Sequence, residues 1–254
     1  QINVPPPLNL VFLIDTSGSM RQELPLLVQG LTMLTNKLRA QDTVSIVTYA
    51  GSSGIALPPT SGDERGRIVT ALNRLYARGS TAGAQGIQQA YALARQSFQQ
   101  QSMNRVILAT DGDFNVGMSD QGSLVRLIEK ERESGIFLSV LGFGRGNYQD
   151  DRLESIADHG NGQYSYIDSI LEAKRVLVDR AGGTLSTVAK DVKLRLEFNP
   201  SHVGHYRLIG YDNRRLTTRQ FDDDKKDAGD IGAGHMVTAL YEIRPRKTAT
   251  TESV

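Results

Sequence analysis

The chain has 254 residues, enough for one large domain or for one domain with an appendage. Lysine and arginine together number 29 and aspartate and glutamate 28, so the net charge is close to zero. With an aromatic content of 6%, this balance excludes the basic, base-stacking surface typical of nucleic-acid binders. The absence of cysteine excludes disulfides, thiolate metal sites and cysteine nucleophiles. No apolar run approaches the roughly 20 residues of a membrane span.

After a proline-rich extended segment at residues 1–7, residues 8–182 alternate apolar strands with amphipathic helices. The strands are predicted at 8–14, 43–49, 105–110, 136–142 and 163–167. The helices are predicted at 22–39, 63–77, 84–99, 121–134, 149–158 and 169–180. Because the strands are apolar almost without interruption, we expect both faces of the sheet to be buried under helices. This pattern predicts an α/β domain with a doubly wound, mostly parallel sheet.

Residues 183–254 have a different character, in which strands follow one another without intervening helices. Apolar residues alternate over 192–198, and further strands are predicted at 206–211 and 236–243. Three or four strands rarely form an independent domain. We therefore predict a small β-rich region that belongs to a β-sandwich, completed either by the entry segment at 4–7 or by residues upstream of Gln1.

Oxygen-bearing side chains are concentrated in three loops of the predicted α/β domain. Asp15, Ser17 and Ser19 follow the first strand, Thr81 precedes a helix, and Asp111 follows the strand at 105–110. The carboxyl ends of parallel strands meet at one edge of a sheet, where ligand sites form. Two carboxylates and three hydroxyls are hard ligands that suit Mg²⁺, with Ca²⁺ and Mn²⁺ as alternatives. The sequence therefore predicts a metal site formed by these five residues.

Each loop taken alone also has an ordinary structural interpretation. Residues 15–19 are compatible with a turn that caps a helix, Thr81 with a helix cap, and Asp111-Gly112 with a turn pair. Their occurrence together, in this order and near separate strands, favours the metal site. Because Mg²⁺ usually keeps water, such a site would leave one coordination position open to a carboxylate from a protein partner.

Other chemistries find less support in the sequence. The glycines at 142, 144 and 146 lack the spacing of a dinucleotide loop, and no P-loop motif is present. His202 and His205 lack the further ligands that a zinc site needs. No nucleophile elbow accompanies Ser17 or Ser19, so we expect the chain not to be an enzyme.

Residues 8–180 resemble a von Willebrand factor type A (VWA) domain, because Asp15-x-Ser17-x-Ser19, Thr81 and Asp111 match its metal-ion-dependent adhesion site (MIDAS). The resemblance implies that Ser17, Ser19 and Thr81 contact the metal directly, and that Asp15 and Asp111 do so directly or through water. It also implies a six-stranded, mostly parallel sheet with helices on both faces. Residues 141–148 and 153–164 are similar to bacterial members, and 198–245 resemble the C-terminal region of the YfbK-like bacterial family.

This resemblance implies a module that engages an Asp or Glu of a protein partner through a bound divalent cation. It further implies an exported or membrane-tethered protein of the bacterial cell envelope, a lipoprotein if an anchor lies upstream of Gln1. The alternative is an intracellular, cytoplasmic accessory subunit of an ATPase machine of the chelatase type. An enzyme acting through the metal would need a general base near the site, and the sequence offers none.

Overall fold

The predicted mostly parallel sheet is confirmed. A computed structural model describes residues 5–50, 52–79, 83–112, 114, 121–144, 150–179, 187–210, 216–222, 229–232 and 237–246. Within these ranges the main sheet has six strands in the order β3-β2-β1-β4-β5-β6. The strands are β1 (Leu8–Asp15), β2 (Thr43–Ala50), β3 (Ser52–Ser61), β4 (Met103–Thr110), β5 (Ile136–Phe143) and β6 (Tyr164–Ile167). All neighbours pair in parallel except β2 and β3.

The helices lie close to their predicted positions. They are α1 (Leu24–Thr35), α2 (Arg65–Asn73), α3 (Gly83–Gln96), α4 (Gln121–Glu133), α5 (Asp150–His159) and α6 (Ile170–Lys174). The predicted helix at 22–39 is shorter at both ends. It begins later because a 3₁₀ turn at Gly18–Arg21 precedes it and Pro25 occupies its first turn. The last helix ends in a π-helical turn at Arg175–Asp179. None of the helices within the described ranges has the length and apolarity of a membrane crossing.

The strand β3 was not predicted. It runs antiparallel to β2 at the edge of the sheet and contains Gly54, Pro58 and Pro59. Prolines cannot donate to a ladder, so they are tolerated in a strand that pairs along one side only. Two register shifts between β2 and β3 accompany this irregular composition.

Two apolar cores lie on the opposite faces of the main sheet, as the uninterrupted apolar strands predicted. In β1 the side chains of Leu10, Phe12 and Ile14 belong to one core, and those of Val11 and Leu13 to the other. The first core is covered by α1, α2 and α6, and the second by α3, α4 and α5. Asp15 continues the second alternation, so its side chain is expected on the face covered by α3.

The C-terminal region contains two small antiparallel ribbons. Its elements are β7 (Thr187–Val192), β8 (Val203–Ile209), α7 (Thr218–Phe221), β9 (Gly229–Gly232) and β10 (Leu240–Pro245). The strand β7 pairs with β9, and β8 pairs with β10. The strand predicted from alternation at 192–198 is wrong, since 193–199 join no sheet. Instead, the ring of Phe198 packs beside the β8–β10 ribbon, 4.6 Å from that of Tyr206 and 5.3 Å from that of Tyr241.

Candidate metal centre

The first predicted loop forms a compact oxygen-rich turn at the carboxyl end of β1. Asp15 is fully buried, and its Oδ1 accepts a hydrogen bond of 2.8 Å from the backbone N–H of Ser17. The Oγ atoms of Ser17 and Ser19 are 3.0 Å apart. Ser17 is buried whereas Ser19 is exposed, so the turn runs from the protein interior to the solvent.

The third predicted loop lies beside the first. Thr110, the last residue of β4, is fully buried and directs its hydroxyl at Oδ2 of Asp15 over 3.4 Å. Its Oγ1 also accepts a hydrogen bond of 3.2 Å from the backbone N–H of Gly112. Between them, Asp111 has a buried Oδ1 without a hydrogen-bond partner among the residues that the structure describes.

The second predicted loop is described up to Gly79 and again from Gly83, where α3 begins. Its backbone is attached to the first loop, because Gly18 donates to Gly79 over 3.3 Å and Arg78 donates to the carbonyl of Thr16 over 2.6 Å. Thr81 lies outside the described residues. The structure therefore brings Asp15, Ser17, Ser19 and Asp111 to one edge of the sheet, and the role of Thr81 stays a prediction.

The carboxyl of Asp15 is in an environment that disfavours its charge. Burial raises its pKa above the ordinary value of 3.8, and the nearby charge of Asp111 raises it further. Hydrogen bonds from Ser17 and an interaction with the hydroxyl of Tyr49 act in the opposite direction. Asp15 is fully buried, and the nearby Asp111 has an oxygen that is unpaired among the described residues, so a cation bound between them would offset their mutual repulsion.

Comparison with protein families identifies the domain that contains this arrangement. Residues 9–178 match the von Willebrand factor type A domain. The chain belongs to the VWA family. Residues 183–253 match a second family, described as the C-terminal region of the uncharacterized protein YfbK.

Similar proteins support this assignment. The uncharacterized protein YfbK of Escherichia coli is 50% identical over 240 residues, which are 94% of this chain and 42% of that protein. A von Willebrand factor type A structure from Catenulispora acidiphila has a TM-score of 0.61 at 20% identity, covering 94% of this chain and 57% of that chain. An aerotolerance-related membrane protein from Bacteroides fragilis has a TM-score of 0.51 at 22% identity, covering 68% and 97%. The two structural likenesses concern the fold.

The residues around Asp15 in this VWA domain are suited to a hard divalent cation. VWA domains commonly bind such an ion at the MIDAS. Carboxylate and hydroxyl oxygens are the donors that Mg²⁺ and Ca²⁺ prefer. No cluster of three or more His, Cys, Asp or Glu able to hold a metal occurs within the described part of the chain, so hydroxyls would have to complete the donor set. The Oδ1 of Asp111 is buried without a hydrogen-bond partner in the described part of the chain, which fits an oxygen that would ligate a cation.

Two neighbours of Asp15 were missed as candidate functional residues. Both were predicted only as the last residues of strands, Thr110 in the strand at 105–110 and Tyr49 in the strand at 43–49. The available signal was register: β1 and β2 are parallel neighbours, and Asp15 is opposite Tyr49 in the ladder. Because in-register residues of parallel strands point to the same face, both side chains lie over the core covered by α3.

We expect the stabilisation of the protein by Mg²⁺ to increase with pH. Since the folded pKa of Asp15 is raised above 3.8, its contribution to stability is present below that value and is lost as the pH rises through the folded pKa. A cation competes with the proton on the carboxyl, so its stabilising effect should be smaller at about pH 4 than at about pH 7. Thermal unfolding with and without Mg²⁺ at both pH values measures this difference. An equal Mg²⁺ effect at both would argue against Asp15 as a ligand.

Proposed function

We propose that the chain is a metal-ion-dependent protein-binding module of the adhesion type, which engages an acidic residue of a partner through a divalent cation. It acts by binding and not by catalysis. Mg²⁺ is the proposed ion, held by Asp15, Ser17, Ser19, Thr81 and Asp111. The observation that carries the proposal is the buried Asp15 near Asp111, whose buried Oδ1 has no partner among the described residues, beside two hydroxyls 3.0 Å apart.

The donor set explains why such a site would bind a partner. When bound, the cation supplies a positive charge that attracts a carboxylate. Ser17 and Ser19 contribute neutral oxygens, so they do not cancel that charge as additional carboxylates would. Ser19 is exposed, which leaves the site accessible from solvent. The hydrogen bond from Ser17 N–H keeps Asp15 oriented toward the turn.

We propose a bacterial cell-envelope location, as a lipoprotein or other anchored protein. The likeness in fold to an aerotolerance-related membrane protein of Bacteroides fragilis supports this location. The chain spans about two fifths of the length of YfbK, so the anchor would belong to a longer protein.

We also propose that residues 183–254 are a separate β-rich unit and part of a β-sandwich. The β8–β10 ribbon has a charged face, on which Arg207 and Glu242 are 2.8 Å apart. Its other face is apolar and carries Tyr206 opposite Ile243, which are 59% and 45% exposed. Two strands alone are marginally stable in water, so further strands would cover this apolar face.

A pull-down from envelope extracts tests the binding function. The immobilised wild-type protein is expected to retain a partner in Mg²⁺ and to release it in EDTA. Ser17→Ala should retain markedly less, because it removes a neutral metal ligand without adding charge. The bound proteins are compared by mass spectrometry.

Ser61→Ala provides the matched control. Ser61 pairs with Thr43 at the start of β2, so it lies at the opposite end of the sheet, and its hydroxyl donates to the carbonyl of Ala40. This variant should retain the partner like the wild-type protein. Capture that is equal in Mg²⁺ and EDTA would contradict the proposed function.

A further inference from the structure

A row of three buried polar side chains crosses the sheet beneath the candidate metal centre. Asp15 is opposite Tyr49 on one side, and on the other side Ile14 is opposite Ala109, which places Thr110 level with Asp15. Asp15, Tyr49 and Thr110 are all fully buried. Polar groups in such a place require a reason, because burial of a polar group without a hydrogen bond is unfavourable.

The aromatic ring of Tyr49 is held firmly in this row. It packs edge-on against Phe114, with ring centroids 5.7 Å apart and planes at 79°. On the side of α3, a Cβ added to Gly86 would lie 3.0 Å from the Cβ of Tyr49, so helix and strand are in close contact. The backbone carbonyl of Tyr49 accepts a hydrogen bond of 3.0 Å from Thr16, the residue after Asp15.

The hydroxyl of Tyr49 is the unusual feature. It interacts with both Asp15 and Thr110, yet it forms no hydrogen bond of good geometry with any residue that the structure describes. Phenylalanine would fill the same space without a buried hydroxyl. The hydroxyl is therefore better explained by the carboxylate beside it than by packing.

We propose that Tyr49 is a positioning residue for the candidate metal centre, whose hydroxyl orients the carboxylate of Asp15 toward a bound divalent cation. This inference rests on the proposed function, because it concerns the same site. Outer partners of this kind commonly hold metal ligands in orientation. Phe114 contributes by fixing the ring from which the hydroxyl projects.

Terbium binding to the whole chain provides a spectroscopic test. Tb³⁺ prefers the same hard oxygen ligands, and its luminescence is excited by energy transfer from a nearby aromatic ring. The chain contains no tryptophan and nine tyrosines, so tyrosine is the sensitiser to expect. The wild-type protein should show sensitised luminescence that Mg²⁺ displaces, and Tyr49→Phe should lose most of it at saturation.

The Mg²⁺ affinity of Tyr49→Phe, measured by calorimetry, is expected to fall about tenfold. Phe114→Leu keeps the hydroxyl and loosens its ring, so its affinity should fall by less. This second variant also provides a result if Tyr49→Phe does not fold, which circular dichroism reports. Unchanged affinity in the folded variants would overturn the inference.

Tyr91→Phe is the matched control. Tyr91 is also fully buried on the same face of the sheet, and its hydroxyl likewise has no hydrogen-bond partner among the described residues. Burial and the charge of Glu131, not that of Asp15, raise the pKa of the Tyr91 hydroxyl. Tyr91→Phe should keep both the luminescence and the affinity of the wild type. If the wild type itself binds neither ion, the proposed function fails; if the wild type binds both ions and Tyr49→Phe binds them equally well, this inference alone fails.

Discussion

Mg²⁺ is expected to raise the melting temperature of the wild-type protein and to leave that of Asp15→Ala unchanged. A ligand present at 100 times its Kd stabilises the folded state by about 2.7 kcal/mol. For a domain of this size, that corresponds to a rise of roughly 5–10 °C. Asp15 is fully buried at the end of β1 and accepts hydrogen bonds from Ser17 in its own loop and from Thr110 in the third loop, so its removal should abolish the rise. Calorimetric melting of both proteins with and without Mg²⁺ measures the rise in melting temperature.

The same substitution separates a metal ligand from a structural carboxylate. Burial and Asp111 raise the pKa of Asp15, so the ionised carboxyl destabilises the metal-free fold at neutral pH. Metal-free Asp15→Ala should therefore melt at or above the wild-type temperature. Removal of a structural carboxylate would instead lower the melting temperature of the metal-free protein.

Asp42→Asn supplies that comparison. Asp42 is a buried carboxylate at the start of β2, and it is already satisfied by Arg39 and by the backbone N–H of Leu8. Its neutralisation should lower the melting temperature and keep the full Mg²⁺ rise. A wild-type melting temperature that does not respond to saturating Mg²⁺ would count against the metal site.

The sequence predicts the central strands well because burial dictates their composition. In β1, every residue from Leu10 to Ile14 contacts one of two cores, which leaves no room for a polar side chain. The edge strand β3 carries no such constraint. Most of its side chains are exposed or half-buried, and its prolines are typical of loops, so composition alone could not identify it.

The residues of the candidate metal centre likewise divide into those that the sequence reveals and those that it does not. Asp15, Ser17, Ser19 and Asp111 stand out because polar residues end a buried strand or follow it directly, and the strand order then brings those ends together. Tyr49 and Thr110 lie within strands, where their residue types are ordinary. Their proximity to Asp15 depends on the register between neighbouring strands, which the sequence of one strand does not specify.

Asp111→Ala is expected to stabilise the metal-free protein and to abolish Mg²⁺-dependent capture of the partner. The substitution removes a buried acceptor that has no hydrogen bond to any described residue, and it removes a charge that raises the pKa of Asp15. Together these changes should be worth about 1 kcal/mol, or roughly 2–4 °C in melting temperature. Mg²⁺ affinity should fall at least about tenfold, because the cation loses a carboxylate.

Asp168→Ala controls for the loss of an acid at the same edge of the sheet. Asp168 directly follows β6 as Asp111 directly follows β4, but β6 is an edge strand and Asp168 is exposed. Its substitution should change neither stability nor capture. A substitution that raises stability but lowers binding is typical of a residue retained for function, because replacing a purely structural residue would lower both. If Asp111→Ala unfolds the sheet, the carboxylate of Asp111 has a structural role instead.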